Sequence, residues 1–107
     1  IIFFILLLVN LLNQPSICIP KVDKHINKKF IYKVFDNLQF GNIKNIDIVY
    51  YNNSRNINYS RVFIHFHKWN TDIPIIKSYY DKLMNGENLS IVYNEPWFWK
   101  LFLYKSS

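Results

Sequence analysis

The clearest pattern in the chain is an alternation of apolar and other residues between Tyr59 and His67. Val62, Ile64 and Phe66 fall on one side of an extended chain, and the residues between them fall on the other side. This pattern predicts a strand with one face in the core. Four more short apolar runs, each bounded by turn-forming residues, predict further strands at residues 16–20, 43–51, 89–93 and 97–104.

Two other segments have apolar residues at spacings of three to five positions, which is the period of an amphipathic helix. The first helix is expected to begin behind an N-cap at Asp23 and to end at Gly41. Its apolar side consists of Ile26, Phe30, Ile31, Val34, Phe35 and Leu38. The second helix is expected to begin at Asp72, with Pro74 in its first turn, and to stop at Asn85-Gly86. Its buried stripe is expected to consist of Ile75, Ile76, Tyr79, Tyr80 and Leu83.

These elements follow one another in the order β-α-β-β-α-β if residues 89–93 are treated as an accessory strand before the last one. That order is typical of an α+β ferredoxin-like sandwich. We therefore expect a four-stranded antiparallel sheet with two helices on one face and the other face free. The domain is expected to span residues 16–105.

The first 13 residues stand apart from this pattern. Residues 1–12 are apolar except for Asn10, and a polar break at residues 13–15 separates them from the domain. The apolar run is shorter than the roughly 20 residues that a membrane-spanning helix needs. We favour a translated leader or an extra apolar strand, and a signal or membrane anchor remains the alternative. A membrane partner is not expected unless this segment is a genuine anchor.

Composition and charge narrow the classes of function. With 107 residues, half of them apolar, the chain is long enough for one folded domain and too short for a two-domain enzyme. The formal net charge of +6 favours partners that carry phosphate. Cys18 is the only cysteine, so no internal disulfide can form and an intracellular location is favoured.

The sequence offers little for catalysis or metal binding. It has two glycines, neither in a phosphate-binding loop, and its carboxylates are scattered. His65 and His67 share a strand face, but no Cys, Asp or Glu lies near them in sequence to complete a metal site. A Cys18–His65 nucleophile pair is conceivable if their strands are neighbours. We expect no enzymatic activity, no metal and no cofactor.

The predicted strand at residues 59–66 can be aligned with the octapeptide of RNA recognition motifs. In this alignment Phe63, Ile64 and Phe66 take its last aromatic, aliphatic and aromatic positions, and residues 17–22 fit the companion hexapeptide. The chain resembles an RNA recognition motif over residues 16–105. More specifically, residues 16–20, 61–66 and 96–100 resemble small proteins encoded by giant DNA viruses, which implies a location in an infected host cell or a virion.

This resemblance implies that the free sheet face binds single-stranded nucleic acid, and RNA in particular, through base stacking and phosphate contacts. Cys18 and Arg61 replace two of the three usual stacking residues, and only Phe63 remains. The guanidinium of Arg61 can still stack on a base or pair with a phosphate.

The last strand offers further aromatic residues for the same face. Taking Lys100 as solvent-facing puts Phe98, Phe102 and Tyr104 on the free face, and it puts Trp97, Trp99, Leu101 and Leu103 in the core. The candidate binding residues are therefore Lys21, Arg61, Phe63, His65, Phe98, Lys100, Phe102 and Tyr104. The alternatives are that this aromatic face docks another protein or a second copy of the chain, or that the chain's own terminal segment covers it.

Overall fold

The computed structural model describes residues 14–51 and 58–104. Within them, five strands form one antiparallel sheet, accompanied by two helices. The elements in chain order are β1 (Ser16–Asp23), α1 (Lys28–Leu38), β2 (Gly41–Tyr50), β3 (Tyr59–Trp69), α2 (Pro74–Met84), β4 (Leu89–Asn94) and β5 (Trp97–Tyr104). The spatial order of the strands is β2-β3-β1-β5-β4, so β2 and β4 are the edges of the sheet.

The predicted four-stranded ferredoxin-like sandwich is wrong, because β4 is a full member of the sheet. It pairs with β5 along its whole length, from Leu89 opposite Leu101 to Asn94 opposite Trp97. Only two residues separate the two strands, so they form a tight hairpin. Leu89 and Ile91 are buried, and this burial holds the short strand against the core.

Both helices pack on the same face of the sheet. Alternate residues of the strands point to this face, and they form one hydrophobic cluster with the buried sides of α1 and α2. The predicted core residues Val62, Ile64 and Phe66 belong to it. Its largest fully buried members are Trp69, Phe35, Phe40, Ile17, Ile19, Ile31, Ile46, Ile64, Ile76, Leu83, Leu101 and Val22.

The predicted N-cap of α1 at Asp23 is wrong. The cap is Asn27, whose side-chain oxygen accepts a hydrogen bond from the backbone N–H of Phe30 at 2.9 Å. Asp23 instead ends β1, and its carboxylate accepts a hydrogen bond from the backbone N–H of His25 at 2.8 Å. Hydrogen bonds from His25 hold the pKa of the Asp23 carboxyl below its usual value.

The predicted end of α1 at Gly41 is also wrong. The helix ends at Leu38, and Gln39 follows in the left-handed conformation with φ of 57°. Gly41 is the first residue of β2, where a Cβ atom would lie 2.2 Å from the carbonyl oxygen of Lys68. Glycine is needed there because the two strands approach each other closely.

The prediction for α2 is partly correct. Pro74 is in its first turn and Asn85 caps its C-terminus, but Asp72 does not cap it. The N-cap is Ile73, which has no capping side chain. Ile75 is 54% exposed, so it does not belong to the buried stripe, of which Ile76 and Leu83 are fully buried and Tyr79 and Tyr80 partly buried.

The predictions for residues 1–13 lie outside the described residues. Among the helices in the described part of the chain, none combines the length and apolar character that crossing a membrane requires.

Candidate functional site

The side of the sheet opposite the helices carries the candidate binding residues; we call it the open face. In the described part of the chain no helix lies over this side, because α1 and α2 both pack into the core cluster. Strand alternation puts Cys18, Asp47, Arg61, Phe63, His65, Phe98, Lys100, Phe102 and Tyr104 on the open face.

The strand register brings four of these residues into one row across the sheet. Cys18 lies opposite Phe63 on one side and opposite Phe102 on the other. Asp47 lies opposite Phe63 from the edge strand β2. Side chains that are directly opposite on neighbouring strands have Cβ atoms about 4.5–5.5 Å apart, so each member of this row lies within contact distance of the next.

Three aromatic residues form the centre of the open face; we call Phe63, Phe102 and Tyr104 the aromatic platform. The ring centroids of Phe63 and Tyr104 are 4.6 Å apart and their planes are tilted by 51°. Both rings are half-buried, and Phe102 is 38% exposed. The rings of Phe63 and Tyr104 support each other from the side, and the three rings leave area open to solvent, which a flat apolar group can cover.

Cationic side chains border the aromatic platform. The guanidinium of Arg61 lies 5.6 Å from the ring centre of Tyr51, and Nζ of Lys21 lies 4.4 Å from the ring centre of Tyr59. These cation–π contacts hold both cations near the sheet surface. Lys100, on β5, is exposed. Arg61 and Lys100 therefore lie on the same sheet face as the aromatic platform, whereas Lys21 contacts Tyr59, four residues before Phe63 in β3.

His65 forms hydrogen bonds with neighbours on both sides. Its Nδ1 lies 2.7 Å from Oγ of Ser16, and its Nε2 lies 3.0 Å from Oδ2 of Asp47. The other carboxylate oxygen of Asp47 accepts a hydrogen bond from Nδ2 of Asn45 at 3.3 Å. His65 is therefore fixed in orientation, and it holds Asp47 in a defined position beside Phe63.

Serine, histidine and aspartate in this order are also the residue types of a serine nucleophile site. Such a site needs backbone N–H groups that are free to bind an oxyanion. Ser16 and Ile17 lie in β1, which pairs with β3 on one side and β5 on the other. We therefore interpret Ser16, His65 and Asp47 as a hydrogen-bonded support for the open face.

Cys18 and His65 do not form the nucleophile pair considered from the sequence, because His65 bonds to Ser16 and Asp47 instead. Burial raises the pKa of the Cys18 thiol, and the positive charge of Arg61 opposes this shift in part. A raised pKa leaves the thiol protonated at neutral pH, where it is a poor nucleophile. Among residues 14–51 and 58–104, no group of three His, Cys, Asp or Glu could hold a metal ion.

Two placements differ from the sequence analysis. Trp97 was predicted to lie in the core with Trp99, but it is 63% exposed whereas Trp99 is 2% exposed. Trp97 pairs with Asn94 at the end of the hairpin, after a register shift, and so it lies at the rim of the sheet. Asp47 was not predicted, because only the pairing of β2 with β3 brings it beside Phe63.

The lysines at the start of α1 lie close to the edge of the open face. A surface groove around the edge strand β2 is lined by Lys28 and Lys29 together with Asp47, Val49 and Phe63. Substituting Lys28 or Lys29 would change the charge near the open face, so neither residue can serve as a control that is far from it. Lys82, in the last turn of α2, is exposed and lies on the helix side of the sheet.

Comparisons with known proteins identify neither a family nor a function for this chain. No protein-family model matches the chain, and searches of curated proteins and of solved structures found no match. The resemblance to RNA recognition motifs stays a prediction from the sequence. The geometry and charge of the open face are therefore the features that indicate what the chain binds.

Proposed function

We propose that the chain binds single-stranded nucleic acid, and RNA in particular, on the open face. The observation that carries the proposal is the aromatic platform at the centre of a sheet face that neither described helix covers, with Arg61 and Lys100 on the same face and Lys21 against Tyr59. Proteins that bind single strands combine aromatic side chains, on which bases stack, with cations that follow the phosphates.

The half-buried rings of the aromatic platform suit base stacking. Phe63 is held from the side by Tyr104, so little side-chain freedom remains to be lost when a base covers it. Phe102 offers a second, more exposed ring on β5, separated from Phe63 by Cys18 of β1. A single strand of nucleic acid that crosses β3, β1 and β5 would pass over the rings of Phe63 and Phe102 in turn.

The charge distribution on the open face favours one path for the backbone of a bound nucleic acid. Arg61 precedes Phe63 in β3 and Lys21 contacts Tyr59 at the start of that strand, whereas Asp47 lies opposite Phe63 and its partner His65 follows Phe63. Phosphates are attracted to the cations and repelled by the Asp47 carboxylate. We therefore expect the phosphates to follow Lys21, Arg61 and Lys100, with the bases pointing towards the aromatic platform.

A second candidate function is protein docking through the same sheet, and exposed apolar residues near β4 favour it. Val92 lies opposite Phe98, and these side chains are 55% and 52% exposed. Apolar residues exposed next to one another are typical of protein interfaces. A protein partner would bury this pair, and its binding would depend little on salt.

Salt dependence separates these two candidates. A labelled oligonucleotide of about ten nucleotides is expected to bind with an affinity that falls as salt increases, because bound cations displace counterions from phosphates. Arg61→Ala and Lys100→Ala are each expected to reduce the slope of log affinity against log salt by about 0.7 per lost contact. Fluorescence anisotropy at several salt concentrations measures these slopes.

Lys82→Ala is the matched control, since it removes the same charge from the helix side of the sheet. Its slope and affinity should equal those of the wild type. Absence of binding at low salt, or equal effects of Lys82→Ala and Arg61→Ala, would contradict the proposal and favour protein docking.

A further inference from the structure

We propose that Asp47 makes the open face selective for guanine at the position stacked on Phe63; this inference rests on the proposed binding of single-stranded nucleic acid. Asp47 is the acidic residue directly opposite Phe63 in the strand register. A base that covers the Phe63 ring therefore brings one of its edges close to the Asp47 carboxylate, since neighbouring strands are about 4.8 Å apart.

The Asp47 carboxylate is held in place before any ligand arrives. Oδ2 lies 3.0 Å from Nε2 of His65, and Oδ1 accepts a hydrogen bond from Asn45 at 3.3 Å. His65 is in turn held by Ser16 at 2.7 Å. A group that is already oriented by its neighbours loses little freedom when it binds a ligand.

The carboxylate also has acceptor capacity left. An ionised carboxylate has about four lone-pair sites, and these two hydrogen bonds occupy one site on each oxygen. The side chain of Asp47 is 53% exposed, so the remaining sites are open to solvent. One free site on each oxygen is the arrangement that two parallel N–H donors require.

Guanine is the base that presents two neighbouring donors and no acceptor between them, through N1–H and the N2 amino group. Adenine and cytosine each present an amino group next to a ring nitrogen acceptor, and the N3–H of uracil lies between two carbonyl oxygens. An acceptor beside the carboxylate is repelled. Bases in single strands are read along these edges, and bidentate contacts discriminate strongly among them.

The test uses labelled oligouridine of about ten nucleotides with one central position changed to guanine, adenine, cytosine or inosine. At pH 7.5 and low salt, the guanine probe is expected to bind about five-fold or more tightly than the adenine and cytosine probes. Inosine lacks the N2 amino group, so its probe should lose most of this preference. The inosine comparison leaves the protein unchanged.

Asp47→Asn is the protein variant, because it keeps the size of the side chain and replaces one acceptor by a donor. It is expected to bring the guanine probe to within about two-fold of the others while general binding persists. Asp36→Asn, on the exposed side of α1, is the matched control and should keep the preference. Thermal unfolding of each variant checks that its fold is retained.

The outcomes separate the two proposals. Binding without a guanine preference, or a preference that survives in Asp47→Asn, overturns the role of Asp47 and leaves nucleic-acid binding in place. Failure of every probe to bind at low salt overturns the proposed function and the guanine selectivity together.

Discussion

Trp69→Ala is expected to lower the free energy of unfolding by about 3 to 5 kcal/mol. Trp69 is 2% exposed, and its ring lies 4.7 Å from that of Phe66 and 5.6 Å from those of Phe40 and Tyr80. Its indole N–H donates a hydrogen bond to the carbonyl oxygen of Pro15 at 2.8 Å. The substitution therefore removes packing on several sides and leaves the half-buried carbonyl oxygen of Pro15 without this donor.

Urea denaturation measures this loss, and Trp97→Ala is the matched control. Trp97 is 63% exposed, so its removal is expected to change the free energy of unfolding by less than about 1 kcal/mol. Domains of this size are stable by only about 5 to 15 kcal/mol, so Trp69→Ala should remove a large fraction of the stability of the domain. Equal losses for the two variants would contradict the placement of Trp69 in the core.

Phe63→Ala is expected to weaken binding of a single-stranded oligonucleotide by about 1 to 3 kcal/mol, which is about 5- to 140-fold in affinity. Phe63 is the most central aromatic residue of the open face, opposite Cys18 in β1 and Asp47 in β2. Its removal takes away a stacking surface but no charge. The slope of log affinity against log salt should therefore stay close to that of the wild type.

Phe30→Ala is the matched control for this prediction. Phe30 is 39% exposed, close to the 38% of Phe102, but it lies on α1 and contacts Tyr93 and Trp99 on the core side. Its removal should leave oligonucleotide affinity within about two-fold of the wild type. A similar loss of affinity in both variants would indicate a general effect on folding and contradict stacking on Phe63.

The residues of β3 could be assigned to their faces from the sequence because strand alternation is a local property. Val62, Ile64 and Phe66 are in the core, whereas Arg61 and Phe63 are on the open face, as predicted. The same reasoning placed Phe102 correctly in β5. These assignments depend only on each strand having one face against the helices.

The wrong predictions concern the pairing of strands and the ends of helices, which no short sequence pattern determines. Residues 89–93 have the composition of a strand, but only their pairing with β5 shows that they complete the sheet. Aspartate is a common N-cap residue, but neither Asp23 nor Asp72 caps a helix. The two helices begin further along the chain, at Lys28 and Pro74. Helix ends depend on how the preceding residues leave the sheet, so capping residues alone do not locate them.

The position of Asp47 illustrates the same limit for the candidate site. It lies 16 residues before Phe63 in sequence, and the register of β2 against β3 brings the two side chains together. A shift of this register by one residue would move Asp47 to the other face of the sheet. Sequence patterns do not fix the register, so they could not show a carboxylate beside the aromatic platform.

Nucleic-acid binding by the open face is tested most directly by the amide NMR spectrum of the labelled protein titrated with a uridine-rich oligonucleotide at low salt. The largest shift changes are expected at Cys18, Arg61, Phe63, Phe102 and Tyr104, with small changes in the buried residues of α2. Absence of shift changes at low salt, or changes concentrated in α2, would contradict binding on the open face.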